Sequence, residues 1–234
     1  MTLILLPNLL SAEASIERSF PPVLAEEVKR LSGLIVEDEK EARAFLKRLG
    51  SPFLPMKKLN EHTPKQEIQE LLEPLLKGET WGLVSDAGLP CLADPGAELV
   101  RKARERGIKI EAIPGPSSLF LALMLSGLPA QRFAFHGYLP REQPDLSHRL
   151  KELEKRSERE EATQLFIEAP YRNLKMLHSI LEALQEKTLL CVAWDLMGPD
   201  EGVITRSIAE WKKSSPPPID KKPAVFCLNK LSGH

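Results

Sequence analysis

The chain has 234 residues, 42% hydrophobic and 28% charged, the balance of an ordinary globular protein long enough for two small α/β units. Its 32 lysines and arginines against 33 aspartates and glutamates leave a net charge of −1, so bulk charge does not announce a nucleic-acid binder. Three dispersed cysteines without a C-x-x-C pair argue against a disulfide framework and a structural zinc site. Cys91, Cys191 and Cys227 read instead as small core residues of a reducing compartment. The opening run Met1–Leu6 lacks a basic flank and reads as a strand. Leu119–Leu125 is too short to span a bilayer, so no membrane association is expected and the location is read as cytoplasmic.

In chain order, Leu3–Leu6 predicts a strand and Val23–Leu31 a helix. Leu34–Val36 is a second strand, followed by a helix over Glu39–Leu49 closed by Gly50. Pro64 opens a helix to Leu76, with Thr63 as its N-cap. Trp81–Val84 is a strand. Asp94 and Pro95 read as N-cap and first residue of a helix to Arg106, and Ile108–Ile113 follows as a strand. Alternation of this kind predicts a largely parallel sheet flanked by helices, with its ligand loops on one edge. Pro114-Gly115-Pro116 is the strongest punctuation in the chain. It sets the expected boundary between an N-terminal α/β domain, 1–115, and a C-terminal α/β domain with a mixed sheet, 116–234. After a helix over Ser117–Leu125, strands are expected at Arg132–His136, Gln164–Ile167, Leu189–Ala193, Val203–Ser207 and Ala224–Leu228. Helices are expected at Asp145–Glu160 and Asn173–Gln185. Leu146, Leu150 and Leu153 give the first of these an apolar stripe, and its interleaved charges read as a solvated face rather than a nucleic-acid patch.

Two turns stand out. Ser85-Asp86-Ala87-Gly88-Leu89-Pro90 follows a buried-looking strand. Its small residues allow close backbone approach to a ligand, and Asp86 can bind polar groups. A plain strand-to-helix connection accounts for it equally well. Pro114-Gly115-Pro116-Ser117-Ser118 offers free N–H groups at a helix start. Glu37-Asp38 can cap the helix that follows, His136 can be a strand-end core histidine, and Glu168 with Arg172 can be a local i, i+4 ion pair.

Taken in order, these turns, Asp94-Pro95-Gly96, Ser126-Gly127-Leu128-Pro129 and Phe135-His136-Gly137-Tyr138-Leu139-Pro140 resemble the tetrapyrrole methylases. Val36-Glu37-Asp38, Asn60-Glu61-His62 and Phe166–Arg172 resemble the branch of that family that methylates a ribose 2′-hydroxyl of small-subunit ribosomal RNA. Three segments depart from that branch: the loop Leu6–Ser11 lacks its glycine, Trp194–Met197 replaces an Arg-Glu-Leu-Thr run, and Arg141–Pro144 replaces a basic run. The resemblance implies a tetrapyrrole-methylase-like α/β fold of two domains with a cofactor cleft between them. It implies S-adenosylmethionine as cofactor, no metal, ribosomal RNA as methyl acceptor and a homodimer. The cofactor residues it implies are Ser85, Asp86, Ala87, Gly88 and Pro90 with Pro114, Gly115, Pro116, Ser117 and Ser118. Glu37, Asp38, His62, His136, Glu168 and Arg172 fall on the substrate side. Phosphate contacts are expected from Lys57, Lys58, Arg141, Arg149 and Arg172. No catalytic base is named. A small-molecule or protein acceptor, or a cofactor-binding module without catalysis, is the alternative.

Overall fold

The structure is a computed structural model and describes residues 1–64 and 66–230. The chain forms two compact units, Met1–Ser117 and Ser118–His234.

The first unit carries β1 (Thr2–Leu6), α1 (Ile16–Ser19), α2 (Val23–Lys29), β2 (Gly33–Val36), α3 (Glu39–Arg48), β3 (Met56–Lys58), α4 (Glu67–Leu76), β4 (Thr80–Val84), α5 (Ala97–Glu105) and β5 (Lys109–Ala112). All five strands are parallel, in the order β3-β2-β4-β1-β5. Burial on both faces explains why the central strands read as unbroken apolar runs rather than alternating ones. Leu3, Ile35, Trp81 and Leu83 pack with α4 and α5. On the other face Leu6, Leu31 and Leu34 close over Gly82 so tightly that a Cβ there would lie within 3 Å of each.

Two expected helix starts move. α4 begins at Glu67, without a side-chain cap. Thr63 does not cap it: its Oγ1 accepts the Asn60 amide at 2.9 Å and closes a turn upstream. Lys65, in the expected first turn, lies outside the described residues. α5 begins at Ala97, not Pro95, because Cys91, Ala93 and Gly96 all take positive φ and hold the chain out of the helical path. Gly96, at φ 136, also lies where a Cβ would stand 2.7 Å from Cys91 Sγ. Asp94 is therefore freed from capping.

The second unit carries α6 (Ser118–Ser126), β6 (Phe133–Tyr138), α7 (Asp145–Glu160), β7 (Thr163–Ile167), a 3₁₀ turn (Pro170–Arg172), α8 (Asn173–Ala183), β8 (Leu189–Trp194), β9 (Gly202–Ser207), α9 (Ile208–Trp211) and β10 (Ala224–Asn229). Its sheet is mixed, in the order β6-β7-β10-β8-β9, with only β6 and β7 parallel. The Leu146–Leu150–Leu153 stripe of α7 and Met176, Leu177 and Ile180 of α8 bury one sheet face through Phe166, Val192 and Phe226. Alternation along the strands turns Cys191 and Cys227, register partners, to the opposite face, where α6 lies.

Candidate active site at the edge of the parallel sheet

The loops after all five parallel strands leave one edge of the first sheet. The connection from β2 runs outward to β3, whereas the connection from β4 passes over β1 to β5. The chain thus diverges at the adjacent ends of β2 and β4, the place where open α/β sheets bind ligands.

Register dictates what meets there. Val36 of β2 pairs with Val84 of β4, so Glu37 and Ser85 are the next residues on neighbouring strands. The Asp38 amide donates to Asp86 Oδ1 at 3.1 Å, and the Asp86 amide donates to the Glu37 carboxylate. Asp94, turned back from α5, completes a group of three acids. Burial, then repulsion from Asp94 and Asp86, pushes the Glu37 carboxyl up to about 7. Burial, then the Asp86 charge, raises Asp94 to about 6, with the Ser85 hydroxyl opposing the shift. Asp86, more exposed than the other two, is raised as well, chiefly by partial desolvation in the loop. Ser85 Oγ is buried and makes no well-formed hydrogen bond, despite lying beside Asp94. Asp38 is spent locally: its Oδ1 caps α3 by accepting the Lys40 amide at 2.8 Å and the Glu41 amide at 3.3 Å.

A residue that the sequence reading passed over fastens this edge. Asn8, after β1, exchanges backbone hydrogen bonds with Gly88 at 2.7 and 3.2 Å. Its side-chain amide donates to the carbonyls of Ser85 and Asp86 at 2.9 and 3.0 Å. The third loop closes in as well. Gly115 sits against the Pro7 ring with no room for a Cβ, and a Cβ on Gly88 would lie 3.7 Å from the Pro116 carbonyl. Leu5, Leu89, Pro90, Leu92 and Ala112–Pro114 line an apolar pocket of about 300 Å³ beside these loops. Ala87 is exposed, Pro116 and Ser117 are buried, and Ser118 begins α6 in the second unit. The edge therefore joins an apolar hollow to a wall of raised carboxylates and an unpartnered hydroxyl, chemistry suited to a ligand with a cationic centre and an apolar body.

Of the remaining expected site residues, His62 lies in the turn after β3, whose Glu61 adds its charge to those acting on Glu37, and the others belong to the second unit. His62 is exposed beside Glu61, 3.4 Å away. In the second unit, the His136 ring is held at both nitrogens: Nδ1 accepts from Arg149 at 3.1 Å and Nε2 lies 2.7 Å from Gln164 Oε1. Burial, then nearby arginines acting against the Gln164 bond, holds its pKa below the usual value, so it is a neutral ring with no free nitrogen. Glu168, buried, accepts from Ala169 N at 2.7 Å and Arg172 Nε at 3.2 Å, while Arg172 Nη2 donates to the Arg141 carbonyl at 2.8 Å. Lys57 Nζ donates to the Glu70 carbonyl at 2.6 Å. Lys57, Arg149 and Arg172 thus each bond to partners within the protein, which uses only part of their donor capacity.

This fold and this loop arrangement define a class. A family model described as Tetrapyrrole (Corrin/Porphyrin) Methylases matches residues 22–211, and the chain belongs to that family. Among curated proteins it is 34% identical over 78% of its length to a ribosomal RNA small subunit methyltransferase I of Xylella fastidiosa, of which it spans 65%. To the protein of the same name from Thermotoga maritima it is 31% identical over 78% of its length, spanning 81% of that relative. Among solved structures it superposes on the methyltransferase CobJ with a TM-score of 0.63 at 16% identity, covering 97% of this chain and 92% of that one. A Thermus thermophilus uroporphyrin-III-C-methyltransferase gives 0.56 at 17% identity, covering 98% and 94%. These two likenesses establish the fold.

Proposed function

We propose that the protein is an S-adenosylmethionine-dependent methyltransferase whose acceptor is a ribose 2′-hydroxyl of small-subunit ribosomal RNA. The observation that carries the cofactor reading is the joining of Glu37, Asp86 and Asp94 to the unpartnered Ser85 hydroxyl beside an apolar pocket. S-adenosylmethionine supplies a methyl group activated by a positively charged sulfur. Carboxylates at the sheet edge stabilise such a charge in a partly buried setting, where Coulomb terms exceed their value in water. Ser85 Oγ and the backbone of Asp86–Gly88 offer hydrogen bonds to its polar groups. The hydrogen bonds from Asn8 fix that backbone, so the ligand meets a preorganised surface. Transfer to a hydroxyl releases one proton, and Glu37, changing protonation near neutrality, can hold that proton at its carboxylate.

The acceptor reading is supported by the names of the relatives, ribosomal RNA small subunit methyltransferase I. A ribosomal RNA acceptor would place the protein in the cytoplasm. No helix among the described residues is long and apolar enough to cross a membrane. The reading extends to a homodimer. α6 buries Ala122 and Leu123 but exposes Met124 and Leu125, an apolar edge suited to a second copy of itself, whereas Phe120 packs edge-on against Phe133.

The test is methyl transfer from labelled S-adenosylmethionine to small ribosomal subunits from cells lacking the enzyme, with protein and small-molecule fractions assayed in parallel. Label in RNA, resistant to alkaline cleavage at the modified nucleotide, is expected. Label confined to another fraction would replace the acceptor, and no label with intact cofactor binding would leave a binding module.

A further inference from the structure

We propose that a concavity at the C-terminal end of α7 binds the phosphate backbone of RNA. The inference rests on the RNA reading above and assigns to it a docking surface outside the sheet edge. Arg132, in the turn before β6, meets Arg156 and Arg159 of α7 around an open pocket of about 550 Å³. Gln131 and Phe133 form part of its wall.

Charge decides what such a hollow accepts. Glu160 is the one carboxylate lining it, and it is shared: Oε2 accepts from Arg156 Nε at 2.8 Å and Oε1 from Arg159 Nη2 at 2.8 Å. Arg132 has no carboxylate partner among the described residues and donates only to the Glu160 carbonyl, at 3.4 Å. Three guanidiniums against one carboxylate leave a local excess of two positive charges on a chain whose net charge is −1. Each guanidinium carries five donors in a planar fork, so bonds to Glu160 leave others free for phosphate oxygens. Phe133, 43% exposed, adds an apolar wall, the pairing of arginine and aromatic that suits single-stranded RNA. An enclosed site would select a small anion. An open one with spread guanidiniums follows a chain of phosphates.

The test uses the full protein and a fluorescein-labelled single-stranded RNA of twenty nucleotides, followed by anisotropy across a salt series. Replacing Arg132, Arg156 and Arg159 together with Gln should weaken binding about 10-fold at low salt. It should also flatten the slope of log K against log salt by about 2, with S-adenosylmethionine binding unchanged. The corresponding Lys triple variant, which keeps the charges, should recover most of the affinity. Lys212→Gln with Lys213→Gln, exposed elsewhere, should change nothing. If wild type binds and methylates RNA while the Gln triple variant keeps its affinity and slope, this surface is wrong and the functional reading stands. If wild type binds S-adenosylmethionine but no RNA at all, both fall. Displacement by millimolar inorganic phosphate at matched ionic strength would mark a free-anion site and overturn the assignment to RNA.

Discussion

Asn8 and Gly88 are 80 positions apart in sequence yet exchange two backbone hydrogen bonds, while the Asn8 side chain holds the carbonyls of Ser85 and Asp86. The loop after β1 is thereby the splint for the loop after β4. Asn8→Ala should leave both carbonyls without their buried donor, at a cost of about 1–2 kcal/mol. Thermal unfolding should register that loss. Calorimetry should show cofactor affinity falling further than a remote mutation of equal stability cost would cause.

Gly115→Ala tests the third loop. The added methyl must displace the Pro7 ring, which is tied through Asn8 to the site. The expected cost is about 1–3 kcal/mol, the usual range for overpacking, together with weaker cofactor binding. A variant with wild-type melting temperature and affinity would show that the Pro7–Gly115 contact constrains nothing.

The raised carboxylates make stability depend on pH. Glu37 and Asp94 bind protons more tightly folded than unfolded, so their favourable contribution is complete below the ordinary carboxylate range. It is lost as pH rises through about 6 and about 7. The melting temperature should therefore rise between pH 8 and pH 5.5. Solvent screening at these half-buried groups keeps the gain on the order of 1 kcal/mol. Glu37→Gln with Asp94→Asn should flatten that slope.

α6 offers a test of assembly. Met124 is 75% exposed and Leu125 51%. Met124→Glu with Leu125→Glu should convert a dimer into a soluble monomer by light scattering, with little change in melting temperature measured at low concentration. A wild-type monomer at micromolar concentration would remove the dimer from the account.

The fold class could be read from the sequence because its signals are local. The Leu146–Leu150–Leu153 spacing sets α7, and its bounds, Asp145–Glu160, are those the spacing predicts. β3, Met-Lys-Lys at a sheet edge, escaped because three partly polar residues have no periodicity. α9 escaped because its Ser207–Glu210 capping box sits at the end of a strand pattern. The acid group escaped for another reason: only the β2–β4 register brings Glu37 to Asp86, and Asp94 carries a capping signature that positive φ at Gly96 overrides. Arg132 meets Arg156 and Arg159 only through the parallel pairing of β6 with β7 that follows α7, so an amphipathic reading of α7 alone could not join them.

In the proposed function, the carboxylates at the sheet edge hold a positively charged sulfur. Calorimetry of S-adenosylmethionine against S-adenosylhomocysteine, which is identical but for the methyl group and its charge, tests it most directly. As pH rises from 5.5 to 8, Glu37 and Asp94 ionise, so the preference for S-adenosylmethionine should grow several-fold and its binding near pH 6–7 should release protons. Glu37→Gln with Asp94→Asn should abolish that pH dependence while retaining S-adenosylhomocysteine binding. Equal pH profiles for the two ligands, or a preference that the double variant leaves intact, would contradict it.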